Sequence, residues 1–195
     1  MAFYIGEMKK VRNSFFEAYK DGDYNKLLQI YAENDDCDCI EYAVDMSNLA
    51  MVFDRLQLYP QAEKYYKQAA ELKKRCGGES LSYADTLNNL AIVYNQTNRQ
   101  TEALRLHRKV LEIREAKLGR EHADFLHSLY HIGNTYELLG EYDKAIDYHA
   151  MALRNNTFST LELADVHGAL ARAYEAKGNY KKAIYYYEIC LDLIE

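Results

Sequence analysis

An all-α solenoid of about five stacked helix–turn–helix repeats, forming one domain over residues 1–195, is the fold this sequence predicts. Three observations predict it. The pattern large-x-x-apolar-small-x-x-aromatic occurs four times, as Met46/Leu49/Ala50/Phe53, Leu87/Leu90/Ala91/Tyr94, Leu129/Ile132/Gly133/Tyr136 and His167/Leu170/Ala171/Tyr174. Nine residues after each terminal aromatic comes an alanine (Ala62, Ala103, Ala145, Ala183), so that successive copies lie 41, 42 and 38 residues apart. Between the two patterns a turn residue falls at a fixed place: Gly22, Gln57, Asn98, Gly140 and Gly178. Self-similarity at this period is the mark of a repeat architecture.

The first half of each unit reads as a helix because its four marked residues, spaced by three and four, share one stripe of a helical surface. The second half repeats the device, with Ala103, His107, Val110 and Leu111 as one example. A small residue in each stripe lets two helix axes approach closely while the neighbouring aromatic fills the space beside it. Ala91 is therefore small because a second helix presses against it. Glycine and asparagine at the turn tolerate the left-handed conformation that ends a helix; Gln57 does not share that ease. Pro60 stands where the second helix of its unit opens, a place proline tolerates. The patterns Ser82-x-x-Asp85 and Ser159-x-x-Glu162 read as capping boxes that open new units.

The expected repeats cover approximately 5–36, 40–76, 82–119, 122–156 and 160–195. The first is degenerate: Val11, Ser14, Phe15 and Ala18 exchange bulk and smallness, and Leu27 and Tyr31 replace the alanine and aromatic. At the other end Leu191, Leu193 and Ile194 leave an apolar face where solenoids normally close with a polar one. Either the natural chain continues past Glu195 or this end docks on another copy, making a homo-oligomer.

The pattern resembles the tetratricopeptide repeat family over nearly the whole chain, and within it the longer variety of roughly 42 residues typified by kinesin light chains; "ADTLNNLAIVY" and "LEIREAKLG" carry that likeness. The resemblance implies a right-handed α-α superhelix whose concave wall is built by the first helix of each repeat, and a non-catalytic role in protein interaction. It also implies that residues off the packing stripe face the groove. On that basis the candidate peptide-binding residues are Ser47, Met51, Asn88, Ile92, Asn95, Tyr130, Asn134, Glu137 and Arg172. An asparagine amide both donates and accepts, so Asn88, Asn95 and Asn134 suit the backbone of an extended peptide of any sequence, with Tyr130 and Met51 giving apolar contact. The competing role for these asparagines is inter-helix bonding. Asp54, Asp85, Glu137, Asp165 and Glu175 tilt the wall negative, with Arg55 and Arg172 as partial offsets, favouring a partner segment with some positive charge and apolar anchors. The carboxylate clamp that some family members use for chaperone tails is not matched: Arg12 and Asn48 fit, but Phe16 replaces an asparagine, and Asp85 and Asn89 replace cations.

Bulk properties narrow the alternatives. A net charge of −6 argues against nucleic acid as a general partner. Lys9, Lys10 and Arg12, and Lys73, Lys74 and Arg75, read as solvated helix ends. No stretch approaches the ~20 apolar residues of a membrane span, and the start lacks a secretory signal. A cytoplasmic location is expected, with Cys37, Cys39, Cys76 and Cys190 reduced. No nucleotide loop, HExxH or serine elbow is present, so neither an enzyme nor a cofactor is expected. His127 and His131 are the best metal pair, but His131 occupies a slot filled by Asn48 and Asn89 in other repeats, and no metal site is expected. Two further functions compete with peptide capture: a scaffold that self-assembles through the C-terminal helix, and a peptide-responsive sensor, which would need an effector segment outside the repeats.

Overall fold

The computed structural model describes residues 40–154 and 158–194, within one compact unit, Cys39–Glu195. The degenerate first repeat expected over 5–36 lies outside the described residues. Among the described residues there are eight helices and no strand: α1 (Ile40–Arg55), α2 (Tyr59–Gly77), α3 (Leu81–Gln96), α4 (Gln100–Leu118), α5 (Ala123–Leu138), α6 (Tyr142–Ala152), α7 (Thr160–Ala176) and α8 (Tyr180–Ile194). They form four antiparallel pairs, α1/α2 to α7/α8, each second helix packing on its own first helix and, up to α6, on the first helix of the next pair.

The stripes are buried. Leu49, Leu90, Ile132 and Leu170 are nearly inaccessible, and Ala50, Ala91 and Ala171 have no exposed surface. Each fully buried leucine or isoleucine contributes about 1.5–3 kcal/mol of transfer free energy. Smallness is most tightly required at Gly133, where a Cβ would sit 2.5 Å from Cε1 and 2.6 Å from Nδ1 of the buried His149 ring.

Each first helix ends in the same way. The backbone N–H of Leu58, Arg99, Glu141 and Asn179 donates to the carbonyl of the terminal aromatic, Phe53, Tyr94, Tyr136 and Tyr174, at 2.8, 2.8, 3.0 and 2.9 Å. This bond closes around a residue in the left-handed region: Gln57 (φ 58°), Asn98 (φ 58°), Gly140 (φ 74°) and Gly178 (φ 73°). Gln57 thus adopts the conformation its side chain made unexpected, against a steric cost of about 1–2 kcal/mol. The cap of α3 also departs from expectation. Ser80, not Ser82, accepts from the N–H of Tyr83 at 3.3 Å, because the helix opens at Leu81. Ser159 and Glu162 do form a capping box at α7, and Pro60 lies in the first turn of α2.

Successive first helices (α1, α3, α5, α7) touch one another directly, whereas among the described residues no second helix reaches another second helix. The first helices therefore form a continuous wall, and the second helices splay apart on the opposite side.

Candidate functional site on the first-helix wall

Polar bonds stitch the wall together at three levels. Between α1 and α3, the Lys73 ammonium enters from the end of α2 and donates to Thr86 Oγ1 (2.7 Å), Ser47 Oγ (2.9 Å) and the Ser82 carbonyl (3.4 Å). Ser47 and Thr86 give their own protons to the carbonyls four residues back, Ala43 and Ser82, which leaves their lone pairs for the cation. Burial pulls the Lys73 pKa below its ordinary value, with Asp85 opposing the shift. Between α3 and α5 the arrangement repeats in register: Arg114 donates from Nη1 to Ser128 Oγ (3.0 Å) and the Asp124 carbonyl (2.9 Å), and from Nη2 to Asp85 (2.7 Å).

Lys73 is thus a buried strut and not the solvated helix end that its run of basic neighbours suggests. Its three protons each find an oxygen, which makes burial of the charge tolerable. The signal was present in the sequence as Lys73 and Arg114, 41 residues apart, matched by Thr86 and Ser128, 42 apart.

The candidate groove residues divide into two groups. Ser47 belongs to the Lys73 cluster. Asn95 Nδ2 donates to Thr135 Oγ1 at 2.9 Å, joining α3 to α5, the inter-helix role that competed with peptide contact. Arg172 on α7 pairs with Glu137 on α5 at 3.0 Å, and Tyr130 lies against the rings of His131 and His149 at 5.7 and 5.5 Å. These four residues connect helices, Tyr130 through its contact with His149. Met51 and Ile92 are half-buried, with no polar demand of their own.

The amide oxygens are different. Asn88 is only 8% exposed, and the Oδ1 atoms of Asn88, Asn95 and Asn134 are all buried with no hydrogen-bond partner. An unsatisfied buried acceptor costs roughly 1–3 kcal/mol, so three on one wall are a concentration of unused hydrogen-bonding capacity.

The wall is acidic. Helices α1, α3, α5 and α7 carry nine carboxylates against two arginines, and Lys73 and Arg114, entering from the second helices, offset only part of that excess. Asp54 is half-buried and its pKa is raised by that burial. His127 bonds Glu162 at 2.9 Å, while His131 stacks on His107 at 5.5 Å, so the two imidazoles of the candidate metal pair are committed to separate partners. Among the described residues no group of three His, Cys, Asp or Glu side chains is placed to hold a metal ion.

His107 and His149 are fully buried and none of their ring nitrogens has a hydrogen-bond partner, although Glu137 lies 4.0 Å from His149 Nε2. Burial pushes their pKa values down to about 3 and about 4, fixing both as neutral rings.

Stacked helix pairs with a notched stripe, a left-handed turn and a continuous first-helix wall define an α-solenoid repeat protein. The tetratricopeptide repeat family model matches residues 46–116, 82–157 and 124–195, and the chain belongs to that family. BtubC (BKLC) from P. vanneervenii is similar in structure, at 21% identity and a TM-score of 0.79, over 95% of this chain and 79% of that one. So are repeats described as those of a kinesin light chain from Podosopora anserina, nearly identical and TPR-like (19% identity, TM-score 0.73, 95% and 92% covered). The MamA protein is a further likeness, at 16% identity and TM-score 0.70, with 95% and 90% covered. No curated protein matches the sequence at a significant level. Tetratricopeptide repeats are in general protein-interaction modules, and among the described residues no helix is long and apolar enough to cross a membrane.

Proposed function

We propose that this chain is a cytoplasmic, non-catalytic interaction module that captures an extended peptide or a helical segment along the first-helix wall. The observation that carries this reading is the set of unpartnered oxygens at Asn88, Asn95 and Asn134. These oxygens have almost no accessible surface, so capture requires the amides to turn outward, where backbone N–H groups of a bound segment supply what they lack, independently of its sequence. Met51, Ile92 and Tyr130 provide apolar contact between them. Ser47, Glu137 and Arg172, held by inter-helix bonds, fix the spacing of the wall. With Asp54, Asp85, Asp165 and Glu175 nearby, the favoured segment carries positive charge and apolar residues.

A displayed peptide library selected on the wild-type protein and then challenged with Asn88→Ala/Asn134→Ala tests this. Most selected peptides should lose binding, while helix content is unchanged and the unfolding midpoint does not fall, since the replaced amides each hold an unsatisfied buried oxygen. Undiminished binding by the double variant removes the row's role.

A second reading is self-association. Tyr180, Ile184, Leu191 and Ile194 on α8 are each at least 58% exposed, and Leu193 is half-buried beside them. Light scattering over a concentration series decides this: a constant monomer mass excludes it.

A further inference from the structure

The splay of the second helices opens clefts on the side opposite the wall. One, of about 650 Å³, lies between the end of α2 and the length of α4, floored by Tyr83, Leu87, Leu104 and Leu106. A second, of about 350 Å³, lies between α4 and α6 and is floored by Phe125, Leu129 and Tyr148. They are register equivalents: Tyr83 and Phe125, Leu87 and Leu129, and Leu106 and Tyr148 are each 42 residues apart.

Their rims differ in charge. The larger cleft is edged by Lys74, Arg105, Arg108 and Lys109, with Glu112 the one acid among its lining residues. At the equivalent positions of the next repeat stand Glu115, Asp147, Ala150 and Met151, and the smaller cleft's lining balances Arg120 and Arg154 against Glu115 and Glu121. Lys109 is neutralised by Glu79 at 2.9 Å and Glu112 at 3.6 Å, and Arg108 donates to the Tyr136 hydroxyl at 2.7 Å. The exposed side chains of Lys74 and Arg105 make no such pairing among the described residues. Apart from Lys73 and Arg114, which reach into the wall, helices α2 and α4 carry eight lysines and arginines against five glutamates.

From this geometry we infer that the cleft between α2 and α4 docks a short acidic segment of a partner protein, one that seats an apolar side chain on the Tyr83/Leu87 floor with carboxylates beside Lys74 and Arg105. The volume lies within the range of small-ligand and side-chain pockets, ~300–1,000 Å³. Two free cations around an apolar floor, interrupted by Glu79 and Glu112, suit one or two carboxylates. A nucleic-acid backbone needs an unbroken run of cations. This site is independent of the asparagine row and has the opposite charge preference.

Fluorescence anisotropy with a labelled peptide, Glu-Asp-Leu-Asp-Phe-Asp-Glu, tests it at ~50 mM salt, where exposed charges are weakly screened. Binding should weaken at least tenfold in Lys74→Glu/Arg105→Asp, which installs the neighbouring repeat's charges. It should weaken less in Lys74→Gln/Arg105→Gln, fall at ~300 mM salt, and persist in Asn88→Ala/Asn134→Ala. Circular dichroism verifies that each variant remains folded, and the glutamine pair serves if the reversed pair does not fold. No binding, equal binding of a peptide with lysine at every acidic position, or insensitivity to both rim variants overturns the inference. So does a uridine oligonucleotide that binds more tightly than the peptide. Loss of binding in the asparagine variant alone would place the peptide on the wall instead.

Discussion

Replacing Gly133 with alanine should destabilise the protein, and the same replacement should stabilise it once His149 is gone. In a helix interior, alanine is better than glycine by about 1 kcal/mol. Here the added Cβ would lie 2.5–3.0 Å from three atoms of the His149 ring. That ring has no exposed surface, so it can yield only by displacing its neighbours. Overpacking of this kind costs up to ~3 kcal/mol, leaving a net loss of about 2 kcal/mol for Gly133→Ala in the wild type. In a His149→Ala background the obstacle is absent and the helix term alone remains, a gain of about 1 kcal/mol. The coupling between the two positions is then ~3 kcal/mol, within the range for residues in direct contact. Urea unfolding of the four proteins at pH 7.5, followed by circular dichroism and fluorescence together, measures it. Coincident transitions and a constant m-value are required, since repeat arrays can unfold in parts. If Gly133→Ala has the same sign in both backgrounds, the ring is not what forbids a side chain at this notch.

Acid should unfold the protein early. His107 and His149 are held neutral, with pKa values depressed to about 3 and about 4, while in the unfolded chain each titrates near ~6.5. Stability is complete above that value and falls as the pH drops toward the folded values. At pH 5 each ring accounts for a loss of ~2 kcal/mol relative to pH 7.5, visible as a lower urea midpoint that a phenylalanine at either position should partly restore. Gln57→Gly should raise stability by ~0.5–1 kcal/mol, because it relieves a left-handed side-chain-bearing residue at an exposed turn; a thermal midpoint raised by ~2 °C would register it. Arg114→Leu should cost ~2 kcal/mol, since it strips charge-assisted bonds from Ser128, Asp124 and Asp85. An unchanged midpoint would show that these bonds contribute nothing net.

The helices and their notches were legible in the sequence because they rest on local spacing. Leu87, Leu90, Ala91 and Tyr94 declare a buried stripe without any knowledge of what they touch. The turn at Gln57 is legible from its register, but its left-handed backbone is not, because the bond from the Leu58 N–H to the Phe53 carbonyl is a backbone demand that overrides side-chain preference. Lys73 was misjudged for a different reason. Its neighbours Lys74 and Arg75 dominate the local impression, and only alignment with Arg114 in the next repeat marks it as structural. The asparagines were picked out by composition, but their unpartnered oxygens depend on the packing of α1, α3, α5 and α7 against one another. The charged outer cleft depends on how far second helices separate, a distance no pattern of residues encodes.

That separation gives the described solenoid two unlike sides. Spreading the first helices breaks the bonds of Lys73, Arg114, Asn95 and Arg172, which are short and directional. The outer side is held by fewer and more exposed links, among them Arg99–Glu63 and Lys109–Glu79, and otherwise by apolar floor whose exposure varies gradually with displacement. The inner seam is therefore the stiffer of the two sides, and the outer one the more easily opened. A ligand wedged among the outer helices would adjust the curvature presented to anything held along the seam.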